Sequence, residues 1–177
     1  KLEIDSLTIQ QRELEQQLSH KCQSYNEYET YLDINYEKVR NSLADHEVVV
    51  DFSDYQTEDS VRQYAAYIYD KDKSHPLLVK CFDQQQLDSL QDGMQNYTLY
   101  NYEQLQNRAS KLIWNPIEAS IAKGSTVYYI PSGVMHGIAL EALPLSDGTT
   151  LGQHYDFVRL TSAREIVNAH HSSKINR

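Results

Sequence analysis

Two cysteines and seven histidines are the side chains of this 177-residue chain best suited to nucleophilic or metal chemistry. Cys22 and Cys81 stand far apart, outside any Cys-x-x-Cys or Cys/His ligand spacing, so the sequence carries neither a zinc motif nor a redox pair. A nucleophilic thiol needs a base within hydrogen-bond reach and a third group to orient that base, and neither cysteine has such partners at a recognisable spacing. Cys22 falls on a helical pattern and Cys81 on a strand pattern, where a free thiol behaves as a small hydrophobe. Their isolation favours a reducing compartment, the cytoplasm. His136-Gly137 has the look of a peptidase base, yet no cysteine follows on a later strand, so its expected role is to hydrogen-bond a turn. His20, His46, His75 and His154 are isolated, and His170-His171 are adjacent residues that cannot share a helix face.

Among the acids, Glu141 and Asp156 sit in the most apolar surroundings. Acid–base work by such a pair requires a shared cleft, so Glu141 is expected instead to accept hydrogen bonds from backbone or from Arg159 or Arg164. Pro131-Ser132-Gly133 and Asp147-Gly148 lack the Gly-rich loop with Lys-Ser/Thr that cradles a phosphate. No catalytic, cofactor-binding or metal-binding set is therefore expected. Pro131, Gly133, His136, Glu141 and Ser162 are expected to be structural.

The net charge of −9 argues against a nucleic-acid partner, which calls for a basic stripe. No apolar run approaches the length of a bilayer span, so no membrane partner is expected either. With 40% hydrophobic and 23% charged residues, the composition suits a globular domain with a core.

The elements that must position these residues follow from periodicity. Residues 1 to about 33 read as a helix, with Leu7, Leu14, Leu18, Cys22, Tyr25, Tyr28 and Leu32 recurring at helical spacing on a polar background. That stripe has two candidate seats: the domain that follows, or a preceding helical array. Asn35 is placed to cap a short helix in which Tyr36, Val39, Arg40 and Leu43 share a face. Val48 to Phe52 is a strand, and Gln63–Tyr69 with Leu77–Phe82 form a hairpin around a solvated tip, residues 70–76. Leu87 and Leu90 mark a short helix broken at Gly93, and Tyr100 to Ala122 returns to helix. Pro116 must kink or restart that helix, with Trp114 anchoring the joint.

All but one of the six glycines then follow from Gly124 onward, where turns concentrate. Val127 to Ile130 is a buried strand. Pro131-Ser132-Gly133 supplies a tight reversal, and Ile138, Leu140, Ala142 and Leu143 pack back. Tyr155 to Leu160 is another strand, and Ser162 caps a helix from Ala163 to Ala169 with Glu165 at its third position. About five strands among helices imply an α/β fold, a mixed sheet flanked by helices with an N-terminal amphipathic helical extension; α+β is the close alternative. The division expected is a helical extension over 1–44 and a domain over 45–177.

A resemblance emerges from spaced motifs across residues 40 to 167. Tyr129-Ile130-Pro131-Ser132-Gly133-Val134-Met135-His136, Glu141-Ala142-Leu143-Pro144, Tyr155 to Leu160 and Ser162-Ala163-Arg164 together resemble the first half of a CHAT domain, a caspase-like module often fused to tetratricopeptide repeats. The upstream Leu112 to Ile117 fits the helix ahead of that family's strand. The resemblance implies a caspase-like sheet whose catalytic His and Cys would follow later strands, beyond Ser162-Ala163-Arg164. The chain then corresponds to the non-catalytic front half of a cysteine endopeptidase, whose partner is a downstream segment or second chain bearing that pair. It also implies a helical-repeat region reached through the N-terminal helix. The alternative is a catalytically silent interaction or signalling module. The basic tail Lys174-Ile175-Asn176-Arg177 offers Arg177 as a candidate processing site, with an incidental cut as the other explanation.

Overall fold

The computed structural model of the chain describes residues 2–21, 28, 30–91 and 103–168. Cys22, Tyr25, Gly93, His170, His171 and Arg177 lie outside the described residues. The fold is α/β, a five-stranded mixed sheet with helices and an N-terminal helix. In chain order the elements are α1 (Leu2–Lys21), α2 (Tyr36–Ser42), β1 (Glu47–Gln56), β2 (Arg62–Asp70), β3 (Leu77–Asp83), α3 (Gln84–Gln91), α4 (Glu103–Ile113), α5 (Asn115–Glu118), β4 (Thr126–Ile130) and β5 (Asp156–Arg159). The strand order is β3-β2-β1-β4-β5. β1, β2 and β3 pair antiparallel, whereas β1, β4 and β5 run parallel.

β1 is longer than the apolar run predicts. Its pairing with β2 continues from Val48↔Asp70 to Gln56↔Arg62, which draws the polar residues Ser53 to Gln56 into the ladder. Thr57 N donates to Val61 O at 2.9 Å and closes this hairpin, with Ser60 in the left-handed region at φ +60°. Sequence reading recognises the second hairpin and misses this first one, because apolar alternation fades before the turn.

Alternation along the strands sends side chains to two faces. Val48, Val50 and Phe52 of β1 join Tyr64, Ala66, Ile68, Phe82, Val127 and Tyr129 in the larger core, closed by Leu87, Leu90, Ala109, Ile113 and Ile117 from α3, α4 and α5 and by Trp114 between the last two. Val49 faces the other way and packs with Ile34, Val39 and Leu43, with Ile130, and with Ala163, Ile166 and Val167 of the last helical turn. Asn35 caps α2 by accepting from Lys38 N at 3.1 Å. Tyr36 Oη and Arg40 Nη1 both donate to Lys73 O, tying α2 to the β2–β3 tip, whose side chains at 71–75 are exposed.

The expected helix from Tyr100 to Ala122 is two helices among the described residues, and the second ends at Glu118. Pro116 lies in the first turn of α5, where its missing N–H costs nothing. Trp114 is fully buried at the joint: its carbonyl accepts from Ile117 N and Glu118 N, and its ring packs 5.0 Å from Tyr155 and 5.5 Å from Phe157. α1 behaves differently. Leu7, Leu14 and Leu18 are 62%, 60% and 49% exposed. No described helix is long and apolar enough to cross a membrane.

Trp114→Ala is expected to lower stability by about 3–5 kcal/mol, the usual cost of emptying a buried aromatic site. Trp114→Phe should cost less than half of that, since it keeps most of the ring packing. Urea unfolding followed by circular dichroism checks both, as the chain's single Trp is the residue removed.

Candidate functional site

In open sheets, ligands and catalytic loops gather at the carboxyl ends of parallel strands. Here that end is formed by the tails of β1, β4 and β5. The segment after β4 does not reverse in a single tight turn. Ser132 stays extended, Gly133 takes φ +53° and a 3-10 turn runs from Gly133 to Gly137, followed by another from Leu140 to Ala142. Pro131 is buried, as are Met135, Ile138, Leu140 and Leu143, whereas Ala142 is exposed.

This segment is seated on β1 and β2. Ser132 Oγ donates to Asp54 Oδ1, and Asp54 Oδ2 pairs with Arg62 Nη1 at 3.2 Å. A Cβ on Gly133 would lie 3.0 Å from the Tyr64 ring and 3.2 Å from Asp54 Oδ1. Tyr64 in turn stacks on Phe82 at 4.7 Å and donates its hydroxyl to Gln84 Oε1 at 3.1 Å. Asp54 is engaged on both oxygens and draws the Ser132 hydroxyl into a latch.

His136 is exposed. Its Nδ1 accepts from Arg159 Nη2 at 2.9 Å, and its carbonyl accepts from Arg159 Nη1 at 3.4 Å. A guanidinium only donates, so the ring proton of this imidazole sits on Nε2. His136 thereby links the post-β4 turn to the end of β5. Glu141 and Asp156, the acids expected to be most enclosed, are both exposed. Arg159 serves His136, and Arg164 Nε donates to Ile34 O at 3.2 Å, so neither arginine is the partner expected for Glu141. The 3-10 geometry of Leu140–Ala142 turns Glu141 outward while Leu140 and Leu143 go in.

Ser162 stands before the helical turn at 164–168. Its Oγ accepts from Arg164 N at 3.3 Å, and Glu165 Oε1 accepts from Ser162 N at 3.0 Å and from Thr161 N at 2.9 Å. The Thr161 hydroxyl, which donates to Glu165 Oε1 at 2.5 Å, and then the two backbone N–H groups hold the Glu165 carboxyl below its ordinary range. His154 is not isolated: its Nε2 lies 2.7 Å from Thr149 Oγ1 and 3.7 Å from Asp147 Oδ2, inside the loop before β5. Cys81 sits on edge strand β3, and burial pushes its thiol up to about 11, away from the thiolate that nucleophilic attack requires. Among the described residues no group of three His, Cys, Asp or Glu is arranged to hold a metal ion.

The enclosed acid that composition does not reveal is Asp51, on the second face of the sheet. It projects into a cleft of about 400 Å³ between the sheet, residues 34–39 and residues 161–164. Tyr69 Oη donates to Asp51 Oδ2 at 3.2 Å, yet burial still raises the carboxyl above its ordinary range and pushes the Tyr69 hydroxyl up to about 12. The one available sequence signal was a charge inside the apolar run Val48-Val49-Val50-Asp51-Phe52. No protein-family model matches the chain, and no curated protein matches it significantly.

Two variants check these assignments. Gly133→Ala is expected to destabilise by about 1–3 kcal/mol, from the left-handed backbone together with the close approach to Tyr64. Chemical denaturation measures it, and an unchanged midpoint contradicts the seat described. Asp51→Asn should act oppositely. A raised acid contributes stability that is complete below its ordinary value of 3.8 and lost as pH rises through the folded value, so at neutral pH the ionised Asp51 is a cost. The melting temperature of Asp51→Asn relative to the parent should therefore rise by a few °C at pH 7 and by little at pH 4. The same difference at both pH values rules out desolvation as the cause.

Proposed function

We propose that this chain is the non-catalytic front half of a caspase-like cysteine endopeptidase of the CHAT kind, working in the cytoplasm. It scaffolds a second half that presents the catalytic His and Cys. The observation that supports this reading most is the parallel set β1-β4-β5 with an outer edge on β5 that has no partner strand among the described residues, next to a Val158 that is 39% exposed. A further parallel strand added there would send its following loop to the carboxyl end of the sheet, where the Ser132 latch and the His136–Arg159 link already hold the preceding loops. The raised Cys81 thiol, on the opposite edge of the sheet, suits a chain whose nucleophile comes from elsewhere.

A second reading, a silent interaction module, is favoured by the exposed Leu7, Leu14 and Leu18 of α1, which suit a partner helix or helical repeat. The test is thiol-dependent hydrolysis of a mixed peptide library. The purified chain alone should turn over nothing. The chain joined to the segment encoded after Arg177 should be active, and should lose activity when the cysteine of that segment becomes Ala. His136→Ala in the joined protein should keep activity within about tenfold, because His136 acts through the turn. Turnover by the chain alone that Cys22→Ala or Cys81→Ala abolishes overturns the proposal, and an inactive joined protein that binds a helical partner through α1 favours the second reading.

A further inference from the structure

The cleft on the second face of the sheet holds an acid and a base that do not meet. Asp51 and Arg164 both line it, and no ion pair joins them. Asp51 takes one hydrogen bond, from Tyr69, on Oδ2, so Oδ1 is uncommitted among the described residues. Arg164 is held by its Nε–H on Ile34 O and by the Tyr31 ring 5.7 Å from its guanidinium carbon. Both of its Nη groups are uncommitted among the described residues. A fixed guanidinium with a free fork is organised for a carboxylate. Ser162 Oγ accepts from Arg164 N and has its own hydrogen left to donate. Ile34, Val39, Ile130 and Ala163, each buried, form the apolar part of the lining, which also includes Asn35 and Thr161.

A mid-strand Asp with apolar neighbours loses hydration without gaining a cation from the fold, which is the situation in which a ligand's cation becomes worth most. We propose that this cleft binds a free α-amino acid with an apolar side chain, its ammonium on Asp51, its carboxylate on the Arg164 fork and Ser162, and its side chain against Ile34, Val39 and Ile130. A volume of about 400 Å³ accommodates one such molecule. The site lies on the second face of the sheet and takes one wall, residues 161–164, from the segment that follows β5. Bound ligand would bridge residues 161–164 to β1 and so fasten the last helical turn to the sheet.

Isothermal titration of the chain with L-leucine, L-isoleucine, L-valine, L-methionine and L-phenylalanine up to about 10 mM tests the site. At least one should bind saturably. N-Acetylation of that amino acid, which removes its ammonium, and amidation, which removes its carboxylate, should each weaken binding about tenfold or more. Asp51→Asn, expected to fold at least as stably as the parent, should weaken it by a similar factor. The site is refuted if none of the five binds saturably, or if binding survives either derivative or Asp51→Asn with less than a tenfold loss. Because peptide hydrolysis is not measured, the result stands apart from the peptidase reading.

Discussion

β1 is the constraint on which the remaining structure depends. It is paired on both edges, antiparallel to β2 and parallel to β4, and it has a core on both faces. From Val48 to Asp51 both edges are paired at once, and Val48, Val49 and Val50 are all nearly inaccessible. A strand in that position leaves little freedom to its neighbours. The β2–β3 hairpin must lie on one side, the parallel pair on the other, and each face must receive its own helices. The polar tail of β1 then sets the ends: Asp54 anchors the loop after β4, and the ladder reaching Gln56↔Arg62 brings Arg62 to the same carboxylate.

The connection from β4 to β5 carries the same logic into a segment with little regular structure. Parallel strands are usually joined through a helix, but here the link is a series of 3-10 turns. It holds together because Leu140, Leu143 and Leu151 reach the main core, while Thr150 and Gln153 cap the last turn reciprocally. Gly133 suits the link, since a side chain there would have to hold a left-handed φ and press on Tyr64 at 3.0 Å. The outcome is a row of loops fixed at the carboxyl end of the sheet and bonded to one another through Arg159 and His136.

Asp51 stands apart because it is a stability cost retained in the middle of the best-packed strand. Burial without a cation is unfavourable, and replacement by an apolar or amide residue is the simple way to remove the cost. Its Tyr69 hydrogen bond recovers only part of the lost hydration. Asp54, three residues on, is bonded on both oxygens, to Ser132 and to Arg62. The contrast separates a carboxylate that serves the fold from one that is held open toward a cleft.

The sequence by itself determined the elements. Apolar runs and turn residues gave five strands close to their observed positions, the Asn35 and Ser162 caps, the break at Pro116 and the burial of Trp114, because all of these rest on short-range pattern. It also pointed to Gly133, whose backbone is left-handed. Tertiary structure alone decided which strands are neighbours, how far β1 extends and which acids are enclosed. Glu141 reads as buried from its Ala-Leu surroundings and is exposed, while Asp51 reads as one more residue of the Val48 to Phe52 strand and proves to line a cleft. The reason is that local hydrophobicity reports the average environment of a segment. Exposure of one carboxylate depends on groups more than a hundred residues away, such as Arg164 bonded to Ile34, and on the turn that swings a single side chain outward.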